Sequence, residues 1–206
     1  MPIDSRVAAF LLVAVLVAIT PGPDMLLVMR NSVARGRRIG AATVVGIVAG
    51  ILGWGVLAAF GVAAILAASS VAFAILKLAG AAYLVFLGVM SIKGSRESVA
   101  RPRFGGAPLG ARSAVIQGAL SAGLNPKLGV FFLTLLPQFV SPGGGTAETL
   151  AFAIAFAAIG LAWLLLFTAL VGSARTVLER ATLRRGIERV SGVVLVGLGV
   201  RVAVES

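Results

Sequence analysis

The chain has 206 residues, of which 59% are hydrophobic and 12% are charged, and it contains no Cys and no His. Soluble domains are about one quarter charged, so this composition indicates an integral membrane protein. The absent residue types exclude disulfide frameworks, thiol chemistry and the usual zinc, haem and iron–sulfur ligands. We accordingly predict no catalytic residue, no metal site and no cofactor.

The net charge of +11 comes mainly from three basic loops between apolar runs. These loops hold 14 of the 18 Lys and Arg residues, whereas the alternate links at 66–70 and 141–147 hold none. Positive-inside topology accounts for this pattern, and it places the three basic loops in the cytoplasm and both chain termini outside. We therefore expect the lipid bilayer as a partner and no nucleic acid.

Six apolar runs along the chain are long enough for a transmembrane helix. The first starts in MPIDSRVAAFLLVAVLVA, which has the short apolar core of a signal peptide, but apolar sequence resumes after Pro23 and favours a first span. The sixth contains Arg201, whose side chain can reach the outer surface. The sequence thus predicts an all-α integral membrane protein with six transmembrane helices, at 7–29, 39–66, 71–92, 113–140, 148–172 and 187–204.

The first and fourth spans are each interrupted by a proline-centred break, TPGPD at 20–24 and LNPKLG at 124–129. Each break is followed further along the chain by a long span with one tryptophan, Trp54 or Trp163. Two three-helix units in tandem have opposite orientations, and broken helices at matching positions of an inverted repeat indicate a transporter site near the midplane. We predict a first repeat at 1–92, a basic cytoplasmic loop at 93–112 and a second repeat at 113–206.

The two breaks carry opposite charges, Asp24 in the first and Lys127 in the second. Proline frees backbone polar groups, which are costly in hydrocarbon, so the breaks belong inside the bundle or on a wet cavity. The two charges are explained either by a structural ion pair that fixes helix register or by contact with a polar substrate or a coupling proton, and the two roles can coexist. A half-helix N-terminus favours a carboxylate and an Asp favours an ammonium, which suits a zwitterion.

Residues 20–50, 76–94 and 118–140 resemble the LysE/RhtB family of bacterial amino-acid exporters. The motifs that carry the resemblance are an early Pro–Gly–Pro–Asp, an Asn–Pro–Lys in the fourth span and a Pro–Gln–Phe at the end of that span. Many members of the family have Asn where this chain has Asp24. The candidate substrate- or ion-binding residues are Pro21, Gly22, Pro23, Asp24, Asn125, Pro126 and Lys127.

The resemblance implies a protein of the bacterial cytoplasmic membrane that exports amino acids or related small metabolites. It also implies the proton gradient as energy source, hence proton antiport, and a homodimer as a possible assembly. The chain has no GxxxxGK[ST] phosphate loop, so ATP hydrolysis by this chain is excluded.

Five further side chains are secondary candidates for the site: Thr20, Trp54, Lys77, Tyr83 and Gln138. Lys77 can instead extend to the membrane surface, and Tyr83 can serve ordinary packing between helices. Trp54 can pack against a small neighbouring residue, and for Gln138 we favour capping of the fourth span over a gating role.

Two patterns concern helix ends and helix contacts. Asn31 and the arginines at 30–38 are expected to cap the inner end of the first span. Ala42, Gly46 and Gly50 form a ridge of small residues at intervals of four, which suits close helix contact within one protomer or between protomers.

We predict a secondary active transporter, and two other functions are considered. A membrane channel for small polar solutes is the alternative, since helix breaks alone do not exclude it. An intramembrane lipid-modifying enzyme fits less well, because the chain has no HExxH motif, no His base and no pair of carboxylates deep inside a span.

Overall fold

The computed structural model describes residues 3–62 and 110–178, together with isolated helical positions between 71 and 89 and between 193 and 204. The described part is helical and contains no strand, which confirms the all-α class for these residues. Apart from the isolated positions, the predicted spans at 71–92 and 187–204 lie outside the described residues. So do residues 93–109 of the basic loop, Lys77 and Tyr83.

The described α-helices are α1 (Ile3–Ile19), α2 (Pro23–Arg35), α3 (Arg37–Leu57), α4 (Ala111–Gly123), α5 (Pro126–Val130) and α6 (Gly145–Leu178). A π-helical segment, Ala58–Val62, extends α3, while α5 continues through a π-helical segment, Phe131–Leu135, and a 3₁₀ turn, Leu136–Phe139. Proline starts both α2 and α5. At the first position of a helix the missing N–H of proline costs nothing, and its fixed φ favours the helix.

Two of these helices are long and apolar enough to cross a bilayer alone, Arg37–Gly61 and Gly145–Leu170. Two further crossings arise if each bent pair counts as one span: Ser5–Ile19 with Pro23–Arg35, bent by 50°, and Ala111–Gly123 with Pro126–Phe139, bent by 52°. These helices lie at the positions of the predicted first, second, fourth and fifth spans. The first pair extends to Arg35, beyond the predicted end at residue 29, because Asn31 and Ser32 are buried within the helix bundle.

Helices α3 and α4 pack closely across glycines. A methyl group added at Gly46 would overlap the Val115 carbonyl oxygen, and one added at Gly118 would overlap the Thr43 carbonyl oxygen. One added at Gly50 would come within 2.9 Å of a carbonyl oxygen of α4. Small residues of this kind let two helix backbones approach in a membrane. The contact made by Gly46 and Gly50 is therefore within the protomer.

A cluster of phenylalanines ties α1 and the extension of α5 to α6. The ring centroids of Phe10 and Phe152 are 4.5 Å apart, as are those of Phe131 and Phe156. All four side chains are buried. Aromatic pairs of this kind contribute about 0.5–1.5 kcal/mol beyond the burial of their area, so the cluster holds α6 against both broken spans.

Candidate functional site

The first break leaves the carbonyl groups at the end of α1 without helical partners, and Lys127 donates hydrogen bonds to two of them. Its Nζ donates hydrogen bonds to the carbonyl oxygens of Val17 and Thr20, both at 3.1 Å. A Cβ atom at Gly22 would lie only 3.3 Å from this Nζ, so the missing side chain leaves space for the ammonium. The ammonium of Lys127 therefore caps the partially negative end of a half-helix.

Asp24 lies in the first turn of α2 and accepts hydrogen bonds from the other broken span. One carboxylate oxygen accepts from Ser121 Oγ at 2.5 Å, and the other accepts from Asn125 Nδ2 at 2.7 Å. The carboxylate also lies at the partially positive end of a half-helix. These three contributions stabilise a charge that would be costly at this depth in a bilayer.

Asn125 joins the two breaks through both ends of its side-chain amide. Its Oδ1 accepts from the backbone N–H of Lys127 at 3.0 Å, which caps the N-terminus of α5. Its Nδ2 donates to Asp24 in the first turn of α2. The side chain is buried. The two proline-containing breaks, more than 100 residues apart in the chain, therefore meet in the folded protein.

Trp54 bridges the second break from the side of α3. Its indole Nε1 donates to the Ala122 carbonyl oxygen, before the break, at 3.0 Å. Its ring lies against Gly129, after the break, where an added Cβ would be 3.0 Å from the ring. Trp54 thus packs against a small residue, as the simpler interpretation predicted, and it also satisfies a carbonyl group at the end of α4.

Asp24 and Lys127 do not form the direct ion pair that the sequence analysis considered. The partners of the Asp24 carboxylate are Ser121 and Asn125, those of the Lys127 ammonium are two backbone carbonyls, and no ion pair at 4.0 Å or less joins the two charges. The physical reason is that each charge is already stabilised without the other. The end of a helix and the polar groups of the opposite helix pair surround it.

A small cavity lies where the two breaks meet. Its space for the centres of water molecules is about 40 Å³, so the cavity is large enough to hold water. Both Asp24 and Lys127 line it. The described residues contain no cluster of three metal-ligating side chains. The other residues that line the cavity are Val17, Ala18, Thr20, Gly22, Met25, Ile47, Ile51, Leu128, Phe156, Gly160 and Leu164.

The three prolines of the predicted site shape the breaks without lining the cavity, and Thr20 both lines it and binds Lys127. Pro23 and Pro126 are exposed and start α2 and α5, and Pro21 is partly buried between α1 and α2. Thr20 contributes its carbonyl oxygen to Lys127, whereas its hydroxyl donates to the Leu16 carbonyl.

Gln138 lies away from the cavity, and two groups that do contribute to the site were missed by the sequence analysis. Gln138 is exposed and donates to the Thr134 carbonyl at 2.7 Å, and its capping role stays a prediction. The missed groups are the Ser121 hydroxyl and the Val17 carbonyl. Ser121 precedes Asn125 by one helical turn, a spacing that was available in the sequence.

A second polar cluster lies on α2 two helical turns beyond Asp24. Asn31 Nδ2 donates to Thr43 Oγ1 at 2.9 Å and to Gln117 Oε1 at 3.4 Å, and Asn31 Oδ1 accepts from Arg35 at 3.2 Å. Asn31 is only 1% exposed, so the expectation that it caps the inner end of the span was wrong. The physical reason is Gly36, whose φ of +86° lets α3 fold back along α2.

The sequence model of the family described as LysE type translocator matches residues 15–206. The chain belongs to the LysE family. This LysE-family chain is 28% identical to the uncharacterized membrane protein YrhP of Bacillus subtilis over 201 residues, which cover 94% of the chain and 96% of the relative. The membership predicted from the motifs at the two breaks is thereby confirmed.

Two further relatives of this LysE-family chain are named as efflux proteins. The homoserine/homoserine lactone efflux protein of Salmonella typhi is 35% identical over 135 residues, 65% of the chain and 64% of the relative. The threonine efflux protein of Escherichia coli is 23% identical over 195 residues, 94% of the chain and 95% of the relative. No solved structure matches the chain.

Proposed function

We propose that the protein is a secondary active transporter that exports amino acids or related small zwitterionic metabolites across the cytoplasmic membrane by proton antiport. The observation that carries this proposal is the meeting of two oppositely charged helix breaks at one cavity inside a membrane-spanning bundle. Charged groups at such depth are costly, and where they occur they mark substrate and ion pathways.

The polarity of the groups around the cavity fits a zwitterion. The carbonyl groups at the end of α1 and the carboxylate of Asp24 both attract an ammonium group. The partially positive start of α2 attracts a carboxylate. An amino acid offers both charges on adjacent positions, so it can replace water at both kinds of group.

The efflux relatives narrow the class of solute. Their names specify homoserine, homoserine lactone and threonine. These compounds are small, polar and carry an amino group, which is the group that the end of α1 and Asp24 favour. We therefore propose small amino acids and their derivatives as the first solutes to test.

Transport by alternating access requires that the protein change shape, because the cavity must open to one side of the membrane at a time. The breaks at 20–22 and 124–125 are the hinges of this motion, because the two helix pairs are already bent there by 50° and 52°. Motion about two such hinges would expose the cavity to one side of the membrane and then to the other.

We further propose that the chain is an inverted repeat with units at 1–92 and 113–206, joined by the cytoplasmic basic loop at 93–112, and with both termini outside. Two features support this arrangement: the bends of the two broken pairs are nearly equal, 50° and 52°, and each second half begins with a proline followed at once by the charged residue of the break.

The test uses purified protein in lipid vesicles loaded with an equimolar mixture of the twenty protein amino acids, homoserine and homoserine lactone. A proton gradient, acidic outside the compartment that holds the mixture, should drive saturable release of a subset of these solutes, measured by mass spectrometry. The controls are proteoliposomes without a proton gradient and solute-loaded vesicles without the protein. No release of any solute would refute the proposal, and electrical conductance without saturation would support a channel.

Asp24→Asn should lower the driven release at least tenfold while the protein still inserts. The substitution keeps the size of the side chain, and the Ser121 hydroxyl can turn to accept from the new amide, so folding should be preserved. The matched control is Gln138→Ala in the other broken span, because Gln138 is exposed and distant from the cavity lining. Normal release by Asp24→Asn would exclude a role for the carboxylate in transport.

A further inference from the structure

We propose that Lys127 carries the exchanged proton, and that the Val17 and Thr20 carbonyls which hold its ammonium are the subsite for the ammonium of the substrate. This inference rests on the proposed export function and assigns its two central steps to particular atoms. It begins from the finding that the partner of the Lys127 ammonium is a pair of backbone carbonyls rather than the Asp24 carboxylate.

The first step of the argument concerns chemical identity. Lys127 Nζ is a primary ammonium that donates to two carbonyl oxygens at 3.1 Å at the end of a half-helix. The amino group of an amino acid is also a primary ammonium and has the same three donors. The two carbonyls therefore accept either group with similar geometry, and the space over Gly22 is filled by whichever is present.

The second step concerns competition. Two ammonium groups cannot share these carbonyls, because like charges in a poorly hydrated site repel strongly. The substrate ammonium can bind only if the Lys127 ammonium leaves or loses its charge. Loss of one proton removes the charge without moving the helix, and the cavity has space for water that can accept the proton.

The third step concerns the other charges around Lys127. Among the described residues that line the cavity, the only charged partner is Asp24 on α2. The lining residues from α1, α3 and α6 are uncharged, as are the neighbours of Lys127 on α5. A protonated Lys127 makes the empty site neutral overall. With Lys127 neutral, the substrate ammonium compensates Asp24, and the substrate carboxylate leaves the loaded site with one net negative charge.

These steps give a transport cycle in which protons and charge balance. With the cavity open to the cytoplasm, a proton leaves Lys127 Nζ for water, the electron pair stays on the nitrogen, and the substrate ammonium binds the two carbonyls. With the cavity open to the outside, the substrate leaves and Nζ takes a proton from external water. One zwitterion leaves the cell and one proton enters in each cycle, so export moves one positive charge inward.

Lys127→Met separates the proton step from the substrate step. Methionine keeps an unbranched apolar chain of similar length without a proton to exchange. With the vesicle system and solute mixture described above, driven release should fall at least tenfold. The rate at which internal unlabelled solutes exchange for external ¹³C-labelled solutes should stay within twofold of the rate of the unmodified protein. In exchange the protein returns with a solute bound, so no proton is required.

Lys127→Arg is the second variant, since it keeps the positive charge and the hydrogen bonds. A guanidinium does not release its proton in proteins, so both driven release and labelled exchange should fall at least tenfold in a protein of unchanged thermal stability. Gln138→Ala again serves as the control and should retain both activities. An N-acetylated form of the exported amino acid, which has no ammonium, should fail to compete for labelled exchange.

Three results would overturn the inference. Normal driven release by either Lys127 variant would show that another group carries the proton. Loss of labelled exchange in an inserted, folded Lys127→Met protein would show that Lys127 is a substrate ligand or a structural cap. Competition by the N-acetylated compound would show that the substrate ammonium does not bind at the Val17 and Thr20 carbonyls. Failure of the unmodified protein to move any solute is a different outcome, because it refutes the export function itself.

Discussion

The close contact of α3 with α4 predicts that Gly46→Ala destabilises the protein, whereas Gly53→Ala on the same helix does not. A Cβ atom at Gly46 would overlap the Val115 carbonyl oxygen and lie 2.7 Å from its carbonyl carbon, while a Cβ atom at Gly53 has no neighbour within 4 Å. Ordinary contacts begin at 3.4 Å, so the Val115 carbon alone requires the two helices to separate by about 0.7 Å.

The expected cost of Gly46→Ala is about 1–3 kcal/mol, the usual range for an overpacked core. Separation of the helices would also lengthen the hydrogen bond from Ser121, on α4, to Asp24 and the bond from Trp54, on α3, to Ala122. At 2–4 °C per kcal/mol for a chain of this size, the melting temperature should fall by roughly 2–12 °C. Gly53→Ala should leave it unchanged or raise it slightly, because alanine favours the helix.

The measurement is thermal unfolding in detergent, followed by fluorescence-detected size-exclusion chromatography after heating. The two variants introduce the same methyl group into the same helix, so their difference reports the local packing alone. Equal melting temperatures for Gly46→Ala and Gly53→Ala would refute the inference that α3 and α4 meet backbone to backbone across Gly46.

The remaining predictions use the same unfolding assay. Trp54→Phe loses the N–H bonded to Ala122 and the outer edge of the ring that lies against Gly129, so it should cost at least about 1 kcal/mol. An unchanged melting temperature would show that neither contact is stabilising. Asn31→Leu removes a partner from Thr43, Gln117 and Arg35 at once and should cost about 1–3 kcal/mol. If Asn31→Leu is no more harmful than Gln138→Ala, the buried cluster does not join α2 to α3 and α4.

The features that could be predicted from the sequence are those that depend on residues close together in the chain. Hydropathy over about 20 residues marks a membrane helix, and the described helices lie where four of the six predicted spans were placed. The motifs at Pro21–Asp24, Asn125–Lys127 and Pro137–Phe139, with the longer stretches around them, identified the family. The first two of these motifs lie where α2 and α5 begin, since proline at a first helical position acts through its own backbone.

The features that were missed or misjudged depend on residues far apart in the chain. Asp24 and Lys127 were considered as an ion pair from their charges alone, but their partners are a serine, an asparagine and two carbonyl groups from the opposite broken span. Every residue has a backbone carbonyl, so the pattern of side chains does not show that the carbonyl of Val17 binds Lys127.

Asn31, in the second polar cluster, was misjudged for the same reason. In sequence it is a polar residue among arginines at the end of an apolar run, which is typical of a helix cap at the membrane surface. Only the return of α3 along α2 and the packing of α4 against them surround it with Thr43 and Gln117. For the described residues, the sequence by itself determined which segments form apolar helices long enough to cross a membrane and where two helix pairs bend. Both features depend on transfer free energy and backbone chemistry within a few turns. The tertiary structure alone decided what each charge touches, because a hydrogen bond depends on where two distant segments pack.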